Sequence, residues 1–295
     1  MDLHNNELHS AWITAINAKL DSQLKLERVN LIGGGSINDA RRLETSEGIF
    51  FVKLNEAEPF PGMLKAEAQG LEFLGEHSTF DIPKPIATGE TEGTQWIIME
   101  HIAQGNKTDD YWETFGHKLA DMHRKTSAQF GLDYNNYLGS LPQINTVSDS
   151  WSDFFVHQRL EPQIKMAREK GIASSEMVRY FDKLFTRADR YFPKEAPSAI
   201  HGDLWTGNFM TTEKGEATIF DPSVHYGHRE MDIGMSKLFG GFDKRFYEAY
   251  NSVYPMQSGW ETRIHVANLY PLMAHVNIFG GSYTSQVMSI LRRYV

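Results

Sequence analysis

The sequence predicts an α+β fold of two lobes. A small antiparallel, sheet-rich lobe is expected over residues 1–102 and a larger, mainly helical lobe over 103–295. Three observations predict this. The segment RVNLIGGGSINDARRLETSEGIFFVKLN breaks its apolar runs with a glycine cluster and a polar turn, TSEG, the pattern of three strands near 28–33, 37–45 and 49–54. From WETFGHKLADMHRKTS onward, apolar residues such as Phe115, Leu119 and Met122 recur at helical spacing. Few linker-like stretches separate the two halves, so they should enclose one cleft, where small ligands usually bind.

The remaining elements follow in order. MDLHNNELHSAWITAINAKL reads as an amphipathic helix; it has no basic region before an apolar block, as a signal peptide would. PGMLKAEAQGLEFLGEH reads as a helix with Pro61 near its start. IPKPIATGE reads as turns, and QWIIMEHI as a short buried strand. WSDFFVHQRLEPQIKMAREKG and SEMVRYFDKLFTRADRYF read as amphipathic helices. SAIHGD, NFMTT and EATIFD read as short strands, and the chain from MDIGMSKLFGG onward as mostly helix.

Charge and composition exclude several functions. The 295 residues carry 29 basic and 38 acidic side chains, a formal charge of -9. A nucleic-acid binder needs a basic stripe, and an anionic membrane surface would repel this chain. An anionic small ligand remains compatible, because a few cations and backbone N–H groups suffice locally. With no cysteine, disulfides, thiolate catalysis and Cys-ligated metals are excluded. No apolar run reaches a membrane-spanning length, so the expected location is the cytoplasm.

Chemistry concentrates in a few places. In NFMTTEKGEATIFD, a hairpin turning at Lys214-Gly215 sets Asn208 opposite Asp221. Carboxylate and carboxamide oxygens suit Mg²⁺ in a nucleotide site. Asp203 lies just before, where the chain enters the hairpin. Each residue alone also suits a polar turn; their convergence by register favours a site. The cluster Gly33, Gly34, Gly35 and Ser36 lets backbone N–H groups approach a phosphate, although it also suits a plain hairpin turn. Lys53 ends the third strand. Glu67 falls within the apolar stripe of its helix, among Met63, Leu64, Leu71 and Leu74. A buried carboxylate needs a partner, and Lys53 is the nearest candidate along the chain. Glycine loop, strand lysine, helix glutamate, Asp203, Asn208 and Asp221 stand in the order used by protein-kinase-like phosphotransferases.

HGDLWTGN, FDPSVHYGHREMDIGMSKLFGGF and LYPLMAHVNIFGGSY resemble the fructosamine kinase, or ketosamine-3-kinase, family. LADMHRKT resembles the Leu-Ala-x-Leu-His helix of the wider aminoglycoside-phosphotransferase-like branch of the kinase fold. The resemblance implies a two-lobed kinase-like fold, ATP with Mg²⁺, and phosphorylation of the C3 hydroxyl of a ketosamine. The unstable 3-phosphate then releases the amine, which is deglycation. Asp203 would be the base, and Asn208 and Asp221 the metal ligands. Lys53, set by Glu67, would contact the α- and β-phosphates, with residues 33–36 above them. Adenine would meet the backbone of Glu100 and Ile102. Trp205 would wall the substrate, whose pocket His275 and Asn277 would help to line. His201 and Asp232 would support the loop, and His123 would be structural. Partners would be small ketosamines or glycated proteins, with no nucleic acid and no membrane.

Asp221 is followed by Pro-Ser and no Ala-Pro-Glu segment appears, which leaves little room for a peptide-docking platform. Competing expectations are a related aminoglycoside, choline or other small-alcohol kinase, a non-catalytic nucleotide-binding module, and a metal-dependent hydrolase built on His201 and Asp203.

Overall fold

The computed structural model describes residues 3–33 and 38–295. Helix α1 (Leu3–Leu20) precedes β1 (Leu26–Ile32), β2 (Asp39–Thr45) and β3 (Gly48–Glu56). Helix α2 (Met63–His77) then leads to β4 (Pro85–Thr91) and β5 (Thr94–Glu100). The five strands form one antiparallel sheet in the order β1-β2-β3-β5-β4. The segment IPKPIATGE, expected as turns, supplies β4. Its proline occupies the first residue of an edge strand, where a missing N–H costs no ladder bond.

Period-two alternation sorts the sheet's side chains between the two helices. Val52 and Leu54 of β3, with Trp96 and Ile98 of β5, pack with Leu8, Trp12 and Ile16 of α1. Ile97 and Met99 face the other way and join Leu64, Ala68, Leu71 and Leu74 of α2. Lys53 lies between Val52 and Leu54, so the same alternation turns it toward the α2 face.

The rest of the chain is largely helical. After α3 (Tyr111–His123) come the short strands β6 (Asn136–Leu138) and β7 (Leu141–Gln143). Next are α4 (Trp151–Phe154), a π-helical turn (Phe155–Leu160), α5 (Glu161–Glu169) and α6 (Ser175–Phe185). Strands β8 (Ser198–Ile200), β9 (Phe209–Thr211), β10 (Ala217–Ile219) and β11 (His225–Gly227) carry the polar motifs. Helices α7 (Glu230–Leu238), α8 (Lys244–Val253), α9 (Trp260–Ala267), α10 (Leu269–Phe279) and α11 (Tyr283–Tyr294) complete the chain. The expected single helix over 151–171 is therefore divided. The π-turn carries the fully buried Arg159, which donates to the Ile144 and Gln158 carbonyls and, at 2.7 Å, to Asn145 Oδ1. Among the described residues no helix is long and apolar enough to cross a membrane.

Helix α2 is held from three directions by residues of the helical lobe. Near its start the Tyr137 hydroxyl donates to the Pro61 carbonyl at 3.0 Å. In its middle, Gly70 meets Pro222 so closely that an added Cβ would lie 2.9 Å from the proline Cγ. At its end the His77 ring shares a 2.8 Å hydrogen bond with the Tyr226 hydroxyl. Gly75, by contrast, faces open space.

These two glycines give a paired prediction. Gly70→Ala should destabilise the protein by about 1–3 kcal/mol through overpacking. Gly75→Ala should stabilise it by up to about 1 kcal/mol through helix propensity. Denaturant midpoints check both; a neutral Gly70→Ala would contradict the close seating of α2.

Candidate active site

The polar motif 201–208 spans the gap between β8 and β9. Gly202 has a φ of 83°, and a Cβ there would lie 2.1 Å from the Ser223 carbonyl oxygen, so only glycine fits. Asp232, at the start of α7, fixes this bend. Its Oδ2 accepts the His201 N–H at 2.7 Å and its Oδ1 the Gly202 N–H at 2.8 Å. His123 Nε2 lies 3.1 Å from the same Oδ2, and the His123 Nδ1 meets the Tyr250 hydroxyl at 2.8 Å. Asp232 is fully buried, yet its carboxyl stays below the ordinary value. Burial pushes it up, but the hydrogen bond and electrostatic pull of His123, together with the His201 ring and N–H, more than offset this.

His201 is placed as loop support and not as a base. Its Nδ1 accepts the Asp203 N–H at 3.2 Å, which leaves Nε2 to donate to the Phe220 carbonyl at 3.0 Å. Both ring nitrogens are thereby occupied in the neutral form. Burial lowers the pKa of this histidine, in keeping with that tautomer.

The hairpin register differs from the expected one. The turn holds three residues, Glu213 to Gly215, closed by a 2.8 Å bond from Thr212 N–H to the Glu216 carbonyl. Gly215 takes the left-handed position, with φ 80°. Thr211 then faces Ala217, and Phe209 faces Ile219. Asn208 meets Phe220, whose N–H donates to the Asn208 carbonyl at 3.1 Å, and Asp221 lies one residue farther on. Asp221 leaves the strand with a left-handed φ of 56°, and the Asn208 amide approaches its backbone carbonyl at 3.5 Å.

Asn208 Nδ2 donates to Asp203 Oδ2 at 2.9 Å and to the Asp203 carbonyl at 2.9 Å, with the Asp221 carbonyl at 3.5 Å. The amide's donor is thus spent on Asp203, and Oδ1 is its remaining acceptor. Asp221, its side chain 41% exposed, pairs with Lys53. Lys53 Nζ also lies 2.7 Å from Glu67 Oε1. One buried ammonium therefore joins a strand, α2 and the segment after β10. Burial pushes the lysine pKa down, but the charges of Asp221 and Glu67 outweigh it and the net direction is up. Burial also pushes the Glu67 carboxyl up, against the pull of Lys53. With two carboxylates to one ammonium, the charge that is secure is the lysine's. Two oxygen donors, Asn208 Oδ1 and the Asp221 carboxylate, match what Mg²⁺ takes from protein when phosphates and water supply the rest.

Asp203 has some exposed area but is surrounded by protein. Burial raises its pKa to about 7, the Asn208 hydrogen bond opposes the rise, and the charges of Asp221 and Asp232 add to it. A carboxylate that titrates near neutrality suits proton transfer at physiological pH.

Beyond Asp203 runs a row of rings. Trp205 rests on Gly207, where an added Cβ would lie 2.3 Å from the indole. It meets Phe239 edge-on at 5.8 Å, and Phe239 meets His275 at 4.8 Å. His275 donates Nδ1–H to the Pro271 carbonyl at 2.8 Å, and burial lowers its pKa, so Nε2 is an acceptor. Asn277, expected beside His275, is elsewhere. It is buried, and its Nδ2 donates to the Gln163 carbonyl at 2.9 Å and to Gln163 Oε1 at 2.8 Å. Two residues apart on a helix, the two side chains cannot share a face. Phe239 was not foreseen as a link between Trp205 and His275; its place in LFGGF offered no periodicity to reveal it.

On β5, the Glu100 N–H donates to the Lys84 carbonyl at 3.0 Å, and its side chain is exposed. Of the glycine cluster, Gly33 follows β1 directly; Gly34, Gly35 and Ser36 lie outside the described residues.

Known proteins match this chain over nearly its full length. The fructosamine kinase family profile matches residues 8–295. Protein-ribulosamine 3-kinase of Arabidopsis thaliana is 40% identical over 276 residues, covering 92% of this chain and 83% of the relative. A crystal structure from Haemophilus somnus, named as a proposed fructosamine-3-kinase, superposes with a TM-score of 0.89 at 24% identity and covers 99% of both chains. The aminoglycoside phosphotransferase APH(4)-Ia, at 14% identity, has a TM-score of 0.60 and covers 95% of this chain and 98% of its own. That last likeness is one of fold, and it is the two-lobed kinase-like fold expected from the sequence. With the profile spanning the chain and the plant relative so similar, this protein belongs to the fructosamine kinase family.

Proposed function

We propose that this protein is an ATP-dependent kinase that phosphorylates the C3 hydroxyl of ketosamines, fructosamines or ribulosamines, and so initiates deglycation. The observation that carries this reading is the contact of Asn208 with the Asp203 carboxylate at 2.9 Å, beside the Lys53–Asp221–Glu67 ion cluster. A group poised to take a proton thus adjoins groups able to hold a polyphosphate.

Asp203 accepts the proton of the attacking hydroxyl as its oxygen bonds to the γ-phosphorus of ATP and the bond from that phosphorus to the β-phosphate oxygen breaks, with ADP as the leaving group. Lys53 contacts the α- and β-phosphates, and Glu67 keeps it aligned. The Glu100 N–H is engaged by Lys84, so adenine would use the Glu100 carbonyl and the Ile102 N–H. Asn208 Oδ1 and Asp221 would hold Mg²⁺, which when bound neutralises phosphate charge. Asp232 and His201 keep Asp203 in place, so the contribution of the protein is chiefly positioning and electrostatics. The indole of Trp205 offers a flat face to sugar C–H groups and to the cationic amine, with His275 Nε2 beyond it. In this reading the chain passes between lobes near residue 102. Free ketosamines and glycated proteins are both candidate substrates, and ATP as donor fits a cytoplasmic location.

Asp203→Asn provides a two-part test. ATP-dependent phosphorylation of a model fructosamine should fall by at least about 100-fold, as for loss of a general base. The same variant should melt higher than the parent at pH 8. The folded-state pKa of Asp203 is raised to about 7, so the unfolded chain gives up this proton first. Stability therefore falls as pH rises from about 4 to 7, and the asparagine removes that loss. Near-normal turnover would remove Asp203 from the reaction, and a lower melting point at pH 8 would contradict its buried charge.

The substrate class is tested by ATP consumption over fructosamines, ribulosamines, choline and aminoglycosides. Activity confined to the ketosamines is expected; a preference for choline or an aminoglycoside would favour the related small-alcohol kinases. In Trp205→Ala the KM for the ketosamine should rise several-fold with KM for ATP unchanged. An unaltered ketosamine KM would remove the indole from the substrate wall.

A further inference from the structure

The ring row that begins at Trp205 does not end at His275. The Phe279 ring lies 5.6 Å from that of His275 and the Tyr283 ring 4.9 Å from it, and these two rings are 6.3 Å apart. The row is tied to the catalytic loop at its other end, where the Thr206 hydroxyl donates to the Phe239 carbonyl at 3.4 Å. Phe279 is 58% exposed, more than any other large apolar side chain after residue 102. One exposed ring alone means little, but this one continues a wall that starts two residues after Asp203.

The backbone is shaped to present these rings. Phe-Gly-Gly occurs twice, at 239–241 and 279–281, each time where a helix ends, α7 in the first case and α10 in the second. All four glycines have positive φ: 96° and 75° at Gly240 and Gly241, 64° and 59° at Gly280 and Gly281. Gly280, with ψ at -151°, takes a conformation essentially closed to other residues. Glycines of this kind stop a helix at once. An added Cβ at any of the four would meet nothing within 4 Å. Each turn therefore leaves open room beside a phenylalanine, and the two phenylalanines pack on the same ring, His275, at 4.8 and 5.6 Å.

The chemistry of a ketosamine says what would meet this wall. Its amine is bonded to C1, two bonds from C3. With the C3 hydroxyl at Asp203, whatever else the nitrogen carries must leave the centre along the wall. His275 Nε2, an acceptor, stands in the row and can take an N–H of that amine. Beyond it, residues 279–283 supply two rings, two glycines and a serine, and no charged group. Such a surface favours an apolar substituent over a charged one. We infer, resting on the ketosamine-kinase reading, that Phe239, Phe279 and Tyr283 form a subsite for the substituent on the amine, and that the preferred ketosamines carry an arylalkyl group there. Phe279 sets the preference, because its exposed face is the one that an aryl ring would cover.

The test is steady-state kinetics of the full chain at saturating ATP with 1-deoxy-1-(2-phenylethylamino)fructose and 1-deoxy-1-(ethylamino)fructose. The two compounds share the reacting sugar and the amine and differ by one phenyl ring. Their kcat/KM values should favour the phenyl compound by about tenfold, carried by KM. Phe279→Ala should bring the ratio to about one. Phe279→Tyr, which keeps a ring, should preserve it, and Val147→Ala, at an exposed apolar position outside the row, should leave it as in the parent. Phosphorylation of both compounds with a ratio of about one in the parent, or a ratio that survives Phe279→Ala, would overturn the inference and leave the ketosamine reading standing. Phosphorylation of neither compound would overturn that reading, and the inference with it.

Discussion

The site depends on one ammonium shared by two carboxylates. Lys53 comes from the sheet, Glu67 from α2 and Asp221 from the segment after β10. Each carboxylate alone would be costly in its place: Glu67 faces an apolar stripe, and Asp221 sits in a left-handed backbone conformation. Joined to one lysine, they fix the distance between the sheet and the polar loop. Sheet alternation turns Lys53 toward α2, the helical stripe turns Glu67 toward Lys53, and the bend at Asp221 precedes a carboxylate that pairs with the same ammonium. A change in any of the three elements would be felt at this nitrogen.

Helix α2 transmits the constraint. Its contacts with Tyr137, Pro222 and Tyr226 hold it against the helical lobe along its whole length. The chain thus builds the Glu67–Lys53 pair into the fold. Asp232 does the same for the other half of the site by gripping two successive N–H groups at the bend before Asp203. In the proposed reading, these hydrogen-bonded parts are the ones that would position phosphate and proton acceptor. The ring row from Trp205 through Phe239 to His275 is built differently, mainly by ring packing, with His275 tied to the Pro271 carbonyl.

Much of this was legible in the sequence, for physical reasons. Period-two and period-3.6 patterns expose strands and helices, and Glu67 stood out because a carboxylate interrupted an apolar stripe. What failed to show was geometry that depends on a single residue of turn length or on distant partners. The hairpin after Asn208 closes over three residues and not two, which moves Asp221 off the expected register, and a left-handed bend at Asp221 precedes its pairing with Lys53. Strand β4 was hidden by its proline, harmless at an edge. Asn277 was expected to line a pocket with His275 from the same helix, whereas helical spacing puts them on different faces, and Gln163 takes the amide. The clamps on α2 join residues far apart in the chain, and no local pattern announces them.

The most direct test is a double-mutant cycle on Lys53→Met and Glu67→Gln, read as kcat/KM for ATP at saturating ketosamine. If Glu67 acts only through Lys53, the double variant should be no worse than Lys53→Met alone, with a coupling free energy of about 1–3 kcal/mol. Strictly additive losses would contradict the account, because they would mean that Glu67 serves the reaction by a route that bypasses the shared ammonium.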